Sequence, residues 1–343
     1  MNCMLWEDQF YEDGVSIAER IGALVAKVKP EAVAAMAVAA REQMKLRHAP
    51  LFLVREMARH EKHKLLVAAT LARVIQRPDE LTEFLAIYWA DALGPMQQRK
   101  KRALPAQVKK GLARALVKFD AYQLAKYDRD GPVRLRDVLF LTHAKPESAE
   151  QAAVWKQLVD GTLASPDTWE VALSGGKAKK ETFERLIAER KLGALALLRN
   201  LRGMQLAGVD KATIGAALET MKTDRVLPYR FITAAHYAPD LEPQLEAAMF
   251  KSIEGLERLD GKTTLLIDVS PSMFAPLSAR SEMTRLQAAC GLAVLAREIC
   301  EDVEIFTFSN KTVKVPPRRG FALRDAMLNS QVPNGTLLGA AVT

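Results

Sequence analysis

Thr263-Thr264-Leu265-Leu266-Ile267-Asp268-Val269-Ser270-Pro271-Ser272 is an apolar run that ends abruptly in Asp-x-Ser-x-Ser. A short Leu- and Ile-rich run bounded by polar residues predicts a strand buried on both faces of a parallel sheet. Such a strand delivers its last residues to the sheet edge where ligands bind. Here one carboxylate, Asp268, arrives with two hydroxyls, Ser270 and Ser272. These are hard oxygen donors, suited to Mg²⁺ or Mn²⁺ rather than zinc, and hydroxyl ligands leave the ion electrophilic enough to accept an acidic group from a partner. The bare pattern also describes an ordinary turn in which Asp and Ser cap the following segment.

Context favours the metal reading. After Gly261 the chain turns β-branched and aromatic, with strands expected at Thr263 to Ile267, Val303 to Phe308 and Thr312 to Val315, and an amphipathic helix from Thr284 to Cys300 between the first two. Strand, helix, strand is the grammar of a parallel or mixed α/β sheet. Before that point, from about Val15 to Leu256, apolar residues recur at helical spacing and are interrupted every dozen or so residues by Pro, Gly or polar clusters. Helices are expected at Ser16 to Val28, Glu31 to Gln43, Leu51 to Arg59, Lys64 to Gln76, Pro78 to Ala92, Pro105 to Phe119, Ala149 to Val159, Lys180 to Leu201 and Leu241 to Leu256, several of them opened by proline. No strict period emerges, so the expectation is an irregular, HEAT-like stack of helix pairs. Two domains follow, residues 1–258 helical and 261–343 α/β.

Composition agrees with that division. At 343 residues the chain exceeds what one core usually organises. Its 49% apolar and 6% aromatic content is an Ala/Leu-rich mixture that favours helices packed on helices. Three cysteines, Cys3, Cys290 and Cys300, are too few and too scattered for a disulfide framework or a zinc cluster, which points to a reducing compartment. The start lacks a basic signal-type region, and no apolar run approaches the roughly 20 residues of a membrane span, so a cytoplasmic protein is expected.

A net charge of +8 suggests an anionic partner, and its distribution sharpens the point. Between Asp91 and Asp120 there is no acidic residue, yet Arg99, Lys100, Lys101, Arg102, Lys109, Lys110, Arg114 and Lys118 all fall there. On a helix, positions 110, 114 and 118 form one cationic stripe, which is placed to follow a phosphate backbone. The alternative is a solvated helix face, but solvated faces usually mix signs.

Leu124-Ala-Lys126-Tyr-Asp-Arg129-Asp130-Gly131 and Arg134-Leu-Arg-Asp-Val-Leu-Phe-Leu-Thr-His143-Ala-Lys145-Pro146 resemble the TROVE module of the Ro autoantigen family. Trp6-Glu-Asp-Gln-Phe-Tyr-Glu-Asp-Gly14, Arg47-His-Ala-Pro-Leu51 and Leu227-Pro-Tyr-Arg-Phe231 support the match. The Asp268-x-Ser270-x-Ser272 turn, followed by Asn334-Gly335-Thr336, resembles a von Willebrand factor A domain, in which two serines and a threonine coordinate a divalent ion and the first Asp acts through water. Ser270, Ser272, Thr336 and Asp268 take those four roles on the resemblance. The chain stops at Thr343, before the strand expected to carry a further Asp, so this α/β domain is expected to be incomplete as given.

The resemblance implies an RNA-binding, non-enzymatic protein. Its helical repeats would close into a ring that binds small structured Y-like RNA outside and single-stranded ends of misfolded RNA within. It leaves room for an exoribonuclease partner and gives no reason to expect DNA or membrane. Lys126 and His143 fall on family RNA-contacting positions, Arg129 lies beside another, and Lys145 closes the basic Lys126 to Lys145 region expected to capture phosphate. Asp130 replaces a family contact with an acid, which weakens the expected outer site. From the residues alone, His143 reads equally as a capping or core histidine. The alternative function is a metal-dependent adaptor that grips an acidic partner side chain. His60-Glu-Lys-His63 lacks a third ligand and reads as surface. Gly175-Gly-Lys-Ala-Lys-Lys180 does not match a phosphate-binding loop, and no catalytic arrangement stands out.

Overall fold

A computed structural model describes residues 14–90, 103–174, 178–224, 226–277 and 283–342. The chain divides into two compact units, at Pro166 and Asp167.

The first unit holds nine helices among its described residues: α1 (Gly14–Val25), α2 (Pro30–Glu42), α3 (His48–Arg59), α4 (Lys64–Val74), α5 (Pro78–Tyr88), α6 (Ala106–Leu116), α7 (Ala121–Tyr127), α8 (Leu135–Thr142) and α9 (Ala149–Asp160). Their starts follow from local chemistry. Pro30 opens α2 with Glu31 beside it in the first turn. Asp120 accepts the Gln123 N–H (2.7 Å) while the Gln123 side chain accepts the Asp120 N–H (3.1 Å), a reciprocal cap that starts α7. Ser148 caps α9, which ends at Gly161 with φ +70°.

The core of this unit gathers Leu51, Phe52, Met57, Leu71, Phe84, Leu112 and Leu116, all essentially inaccessible. A buried ion pair runs through it. Arg41 Nη2 lies 2.5 Å from Glu80 Oε1, and Arg41 Nε donates to the Val74 carbonyl (3.0 Å). Glu80 Oε2 accepts the Gln76 and Arg77 N–H groups (2.7 and 3.1 Å), so every strong polar atom of the pair is matched, as burial of charge requires.

The second unit contains α10 (Trp169–Ser174), α11 (Lys179–Ala188), α12 (Ala194–Leu206), α13 (Lys211–Thr220), α14 (Tyr229–Tyr237), α15 (Glu242–Ile253), β1 (Leu259–Asp268), α16 (Arg285–Ile299), β2 (Cys300–Phe308), β3 (Thr312–Lys314), α17 (Gly320–Leu328) and α18 (Leu338–Val342). The sheet has the order β1-β2-β3. β1 and β2 are parallel, with Thr263 opposite Val303 and Asp268 opposite Phe308, and α16 is their crossover; β3 returns antiparallel to β2.

Three sequence expectations change here. The segment Lys180 to Leu201 is not one helix: Arg190 takes a left-handed conformation (φ 53°) and Gly193 starts α12 anew. β1 is not buried on both faces. It is an edge strand among the described residues, and of its residues Ile267 alone is fully buried. Helix gives way to strand between Ile253 and Leu259, near the expected 258/261 boundary, yet the compact units part at 166/167.

The reason for that last difference is packing within the second unit. α16 rests on α14 and α15, where a Cβ on Gly291 would stand 3.0 Å from Ile232. Glu246 of α15 accepts the Phe321 N–H at the first turn of α17 (2.6 Å), and Arg324 of α17 pairs with Glu242 (2.7 Å). One core therefore spans Phe231, Leu245, Ile267, Val294, Phe321 and Met327, joining helices and sheet.

Candidate nucleic-acid interface and candidate metal centre

α6 docks on α4 through Val108, Gly111, Leu112 and Ala115. Its opposite face carries Lys110 and Arg114, both exposed and neither with an ion-pair partner among the described residues, with Lys109 half-buried beside them. Lys118 departs from the expected stripe. Its ammonium donates to the Ala72 carbonyl (2.6 Å) and to the Ile75 carbonyl, so it closes the C-terminal end of α4, and burial lowers its pKa. Arg99 to Arg102 lie outside the described residues, as do the Trp6 to Asp13 stretch and Gly175 to Lys177.

The second expected cluster is arranged around aromatic rings. Lys126 Nζ lies 5.9 Å from the Tyr122 ring and 5.8 Å from that of Tyr127, and Arg77 stacks on Tyr127 at 4.8 Å. Tyr127, Arg129 and Asp130 line a cavity of about 600 Å³ together with Arg47, Arg77 and Glu83. Sequence reasoning missed these last three as site residues. Their signal was weak, because each charge has an opposite neighbour: Arg47 binds Asp79 (2.6 Å) and Glu83, and Arg77 binds Asp79 (2.6 Å). Burial, reinforced by Asp79 and Glu80, pushes the Glu83 carboxyl up to about 7 against the pull of Arg47. The acidic Asp130 is paired with Arg134, which offsets its charge.

His143 is exposed and is the left-handed C-cap of α8 (φ 52°), its N–H donating to the Leu139 carbonyl (3.0 Å). Its ring is therefore presented to solvent rather than held in the core. Lys145 is exposed nearby in sequence. His63, expected at the surface, is instead buried (1% exposed), and burial together with His60 lowers its pKa.

At the far end of β1, the Asp268 carboxylate accepts the Ser270 N–H (2.8 Å). The Ser270 hydroxyl, on a fully buried residue, lies 3.2 Å from that of Ser272. The Thr336 loop reaches the same edge. Ser309, directly after β2, accepts the Asn334 N–H on its hydroxyl (2.7 Å), donates to the Gly335 carbonyl (3.0 Å), and offers its own carbonyl to the Leu337 N–H (2.7 Å). Because β1 and β2 run parallel, these ties bring Thr336 to the edge that holds Asp268, Ser270 and Ser272. Among the described residues no three His, Cys, Asp or Glu side chains converge, so a cation here would rely on hydroxyl oxygens and one carboxylate. That donor set fits a hard divalent ion and not zinc.

Helical repeats followed by a small α/β sheet, with exposed cations on a helix face that have no ion-pair partner among the described residues, define the class. The TROVE domain model matches residues 3–162 and 161–270, and the chain belongs to that family. Among solved structures, the crystal structure of the Deinococcus radiodurans Ro (RSR) protein shares the fold, with a TM-score of 0.63 and 21% identity over 92% of this chain and 74% of that one. No curated protein matches the sequence. No helix among the described residues is long and apolar enough to cross a membrane.

Proposed function

We propose that this protein binds RNA as a Ro-type ribonucleoprotein component, capturing phosphates without catalysing a reaction. The observation that carries the reading is the exposed Lys110 and Arg114, without an ion-pair partner among the described residues, on a helix whose other face is committed to packing. Lys109, Lys126, Arg129, His143 and Lys145 extend the proposed contact surface, while Lys118 contributes stability rather than contact. Small noncoding, Y-like RNA and misfolded RNA are the proposed ligands, in RNA quality control. The closed ring, a von Willebrand A-like 261–343 and an exoribonuclease partner belong to the same proposal and rest on the family resemblance; the helical domain of residues 1–258 and a cytoplasmic location belong to it too, and rest on the apolar spacing and the scattered cysteines.

Phosphate contacts release counterions, so affinity for a structured hairpin RNA should fall steeply with salt. Lys110→Glu with Arg114→Glu should reduce the slope of log affinity against log salt by about 2. Affinity that barely changes with salt, or that survives the charge reversal, would sink the reading.

The clustered hydroxyls at the sheet edge favour a second reading, a metal-dependent adaptor. There Ser270, Ser272 and Thr336 would hold Mg²⁺ or Mn²⁺, with Asp268 acting through water, and the ion would supply a Lewis-acidic position for a partner carboxylate. Chelation separates the two. An adaptor loses its partner on removal of the cation or on Ser270→Ala, whereas RNA held by helices stays bound.

A further inference from the structure

The cavity of the first unit, about 600 Å³, is lined by charges of both signs. Arg47, Arg77 and Arg129 face it with Asp79, Glu83 and Asp130, and the buried Trp89 and Leu135 give it an apolar floor. Its three carboxylates are not held alike. Asp79 takes two guanidiniums, Arg47 (2.6 Å) and Arg77 (2.6 and 3.0 Å), and Asp130 takes Arg134 from outside the lining. Glu83 has Arg47 as its one guanidinium partner among the described residues, through Nε (2.9 Å) and Nη2, with the His48 ring nitrogen 3.7 Å away.

Two carboxylates therefore share the Arg47 guanidinium in a half-buried place, and a single proton removes their repulsion. That proton goes to Glu83, which has fewer cations than Asp79, and burial with Asp79 beside it pushes the Glu83 carboxyl the same way, up to about 7. Other charges on and around α5 are engaged elsewhere. Glu80 pairs with Arg41, Arg55 with Glu56 on α3, Lys118 of α6 with the end of α4, and Lys126 of α7 lies by its two tyrosine rings. Asp137 of α8 accepts the Arg134 N–H (2.8 Å), and Asp128 faces Arg134 and Arg136 without lining the cavity. Burial and Arg47 lower the His48 pKa, which favours its neutral ring. With Glu83 protonated, three guanidiniums in the lining face two carboxylates, and the cavity gains a positive charge.

We propose that this cavity is a proton-coupled site for a small organic acid anion: Glu83 takes up a proton and releases Arg47, and the ligand's carboxylate takes its place, with its apolar body against Trp89 and Leu135. A carboxylate matches the two-pronged guanidinium face that Glu83 vacates, and the neutral Glu83 carboxyl can donate a hydrogen bond to it. The volume falls in the range of about 300–1,000 Å³ typical of small-ligand sites. Proton and ligand are linked, so each raises the affinity for the other by the same factor. This goes beyond the RNA-binding reading and does not rest on it.

The test uses the full chain and benzoate, which stays ionised between about pH 6 and pH 8 and carries a flat apolar body. Binding is read by titration calorimetry, with thermal melting to show that each variant is folded. If only the protonated Glu83 admits the ligand, a carboxyl titrating near 7 gives an affinity about tenfold higher at pH 6 than at pH 8. At pH 8, binding should take up about one proton, read from buffers of different ionisation enthalpy. Glu83→Gln should bind equally at both pH values with no proton uptake, Arg47→Gln should lose binding at both, and His48→Gln should keep the tenfold dependence. No benzoate binding at pH 6, or a pH dependence that survives Glu83→Gln, sinks the proposal. A dependence abolished by His48→Gln assigns the proton to His48 and overturns it too. A wild type that ignores benzoate, but whose hairpin-RNA affinity rises from pH 8 to pH 6 unless Glu83 is replaced by Gln, would reassign the cavity to RNA phosphate and also overturn it.

Discussion

Lys118 follows Arg114 by four residues, and the spacing that aligns them says nothing about what lies above each. α4 ends directly over Lys118, and its last carbonyls lack intrahelical partners, so the ammonium satisfies Ala72 and Ile75. Lys118→Met should therefore cost about 1–3 kcal/mol in urea unfolding, because those carbonyls lose a charged donor. The same variant should leave the salt slope of RNA binding unchanged. Arg114 has no such partner among the described residues. Asp130 teaches the converse, since an acid that looks inhibitory in the sequence is answered by Arg134 four residues on.

At the scale of elements, the basic helix is held by a close helix–helix approach. A Cβ on Gly111 would stand 2.9 Å from the Leu71 Cβ and 3.1 Å from the backbone of Ala68. Backbone cannot rotate away, so Gly111→Ala should push α6 off α4. Overpacking of about 1–3 kcal/mol outweighs the roughly 1 kcal/mol that alanine adds to helix propensity. The measurable outcome is a lower melting temperature together with weaker hairpin binding, as Lys110 and Arg114 move with the helix. Most helices were legible from apolar spacing and proline, with ends within a few residues. The exceptions have local causes. The break after α11 puts Arg190, between Glu189 and Lys191, in a left-handed conformation that its residue type does not announce, and the short α13 and α14 carry too few residues to show a period.

For the whole molecule, two separate cores hold two compact units. Phe231 is wholly buried in the second, among residues of α12, α14 and the sheet layer. Phe231→Ala should remove about 3–5 kcal/mol from that unit. Hydrogen exchange should then speed up across α12 to α16 while the amides of α3 to α6 keep their protection. Equal loss of protection in both units would show that they unfold as one.

Composition, helical periodicity and the β1–turn–α16–β2 order were enough to determine a helical repeat followed by a small α/β layer, because burial of apolar residues imposes those periods locally. The Asp268-x-Ser270-x-Ser272 turn was legible for the same reason, being contiguous. Only the tertiary structure decided which cations are free. Pairing of Arg47 with Asp79 and Glu83, and the docking of Lys118 on the end of α4, depend on contacts between segments distant in the chain. The meeting of Thr336 with the sheet edge depends on such contacts too, and their energies leave no periodic trace in the sequence.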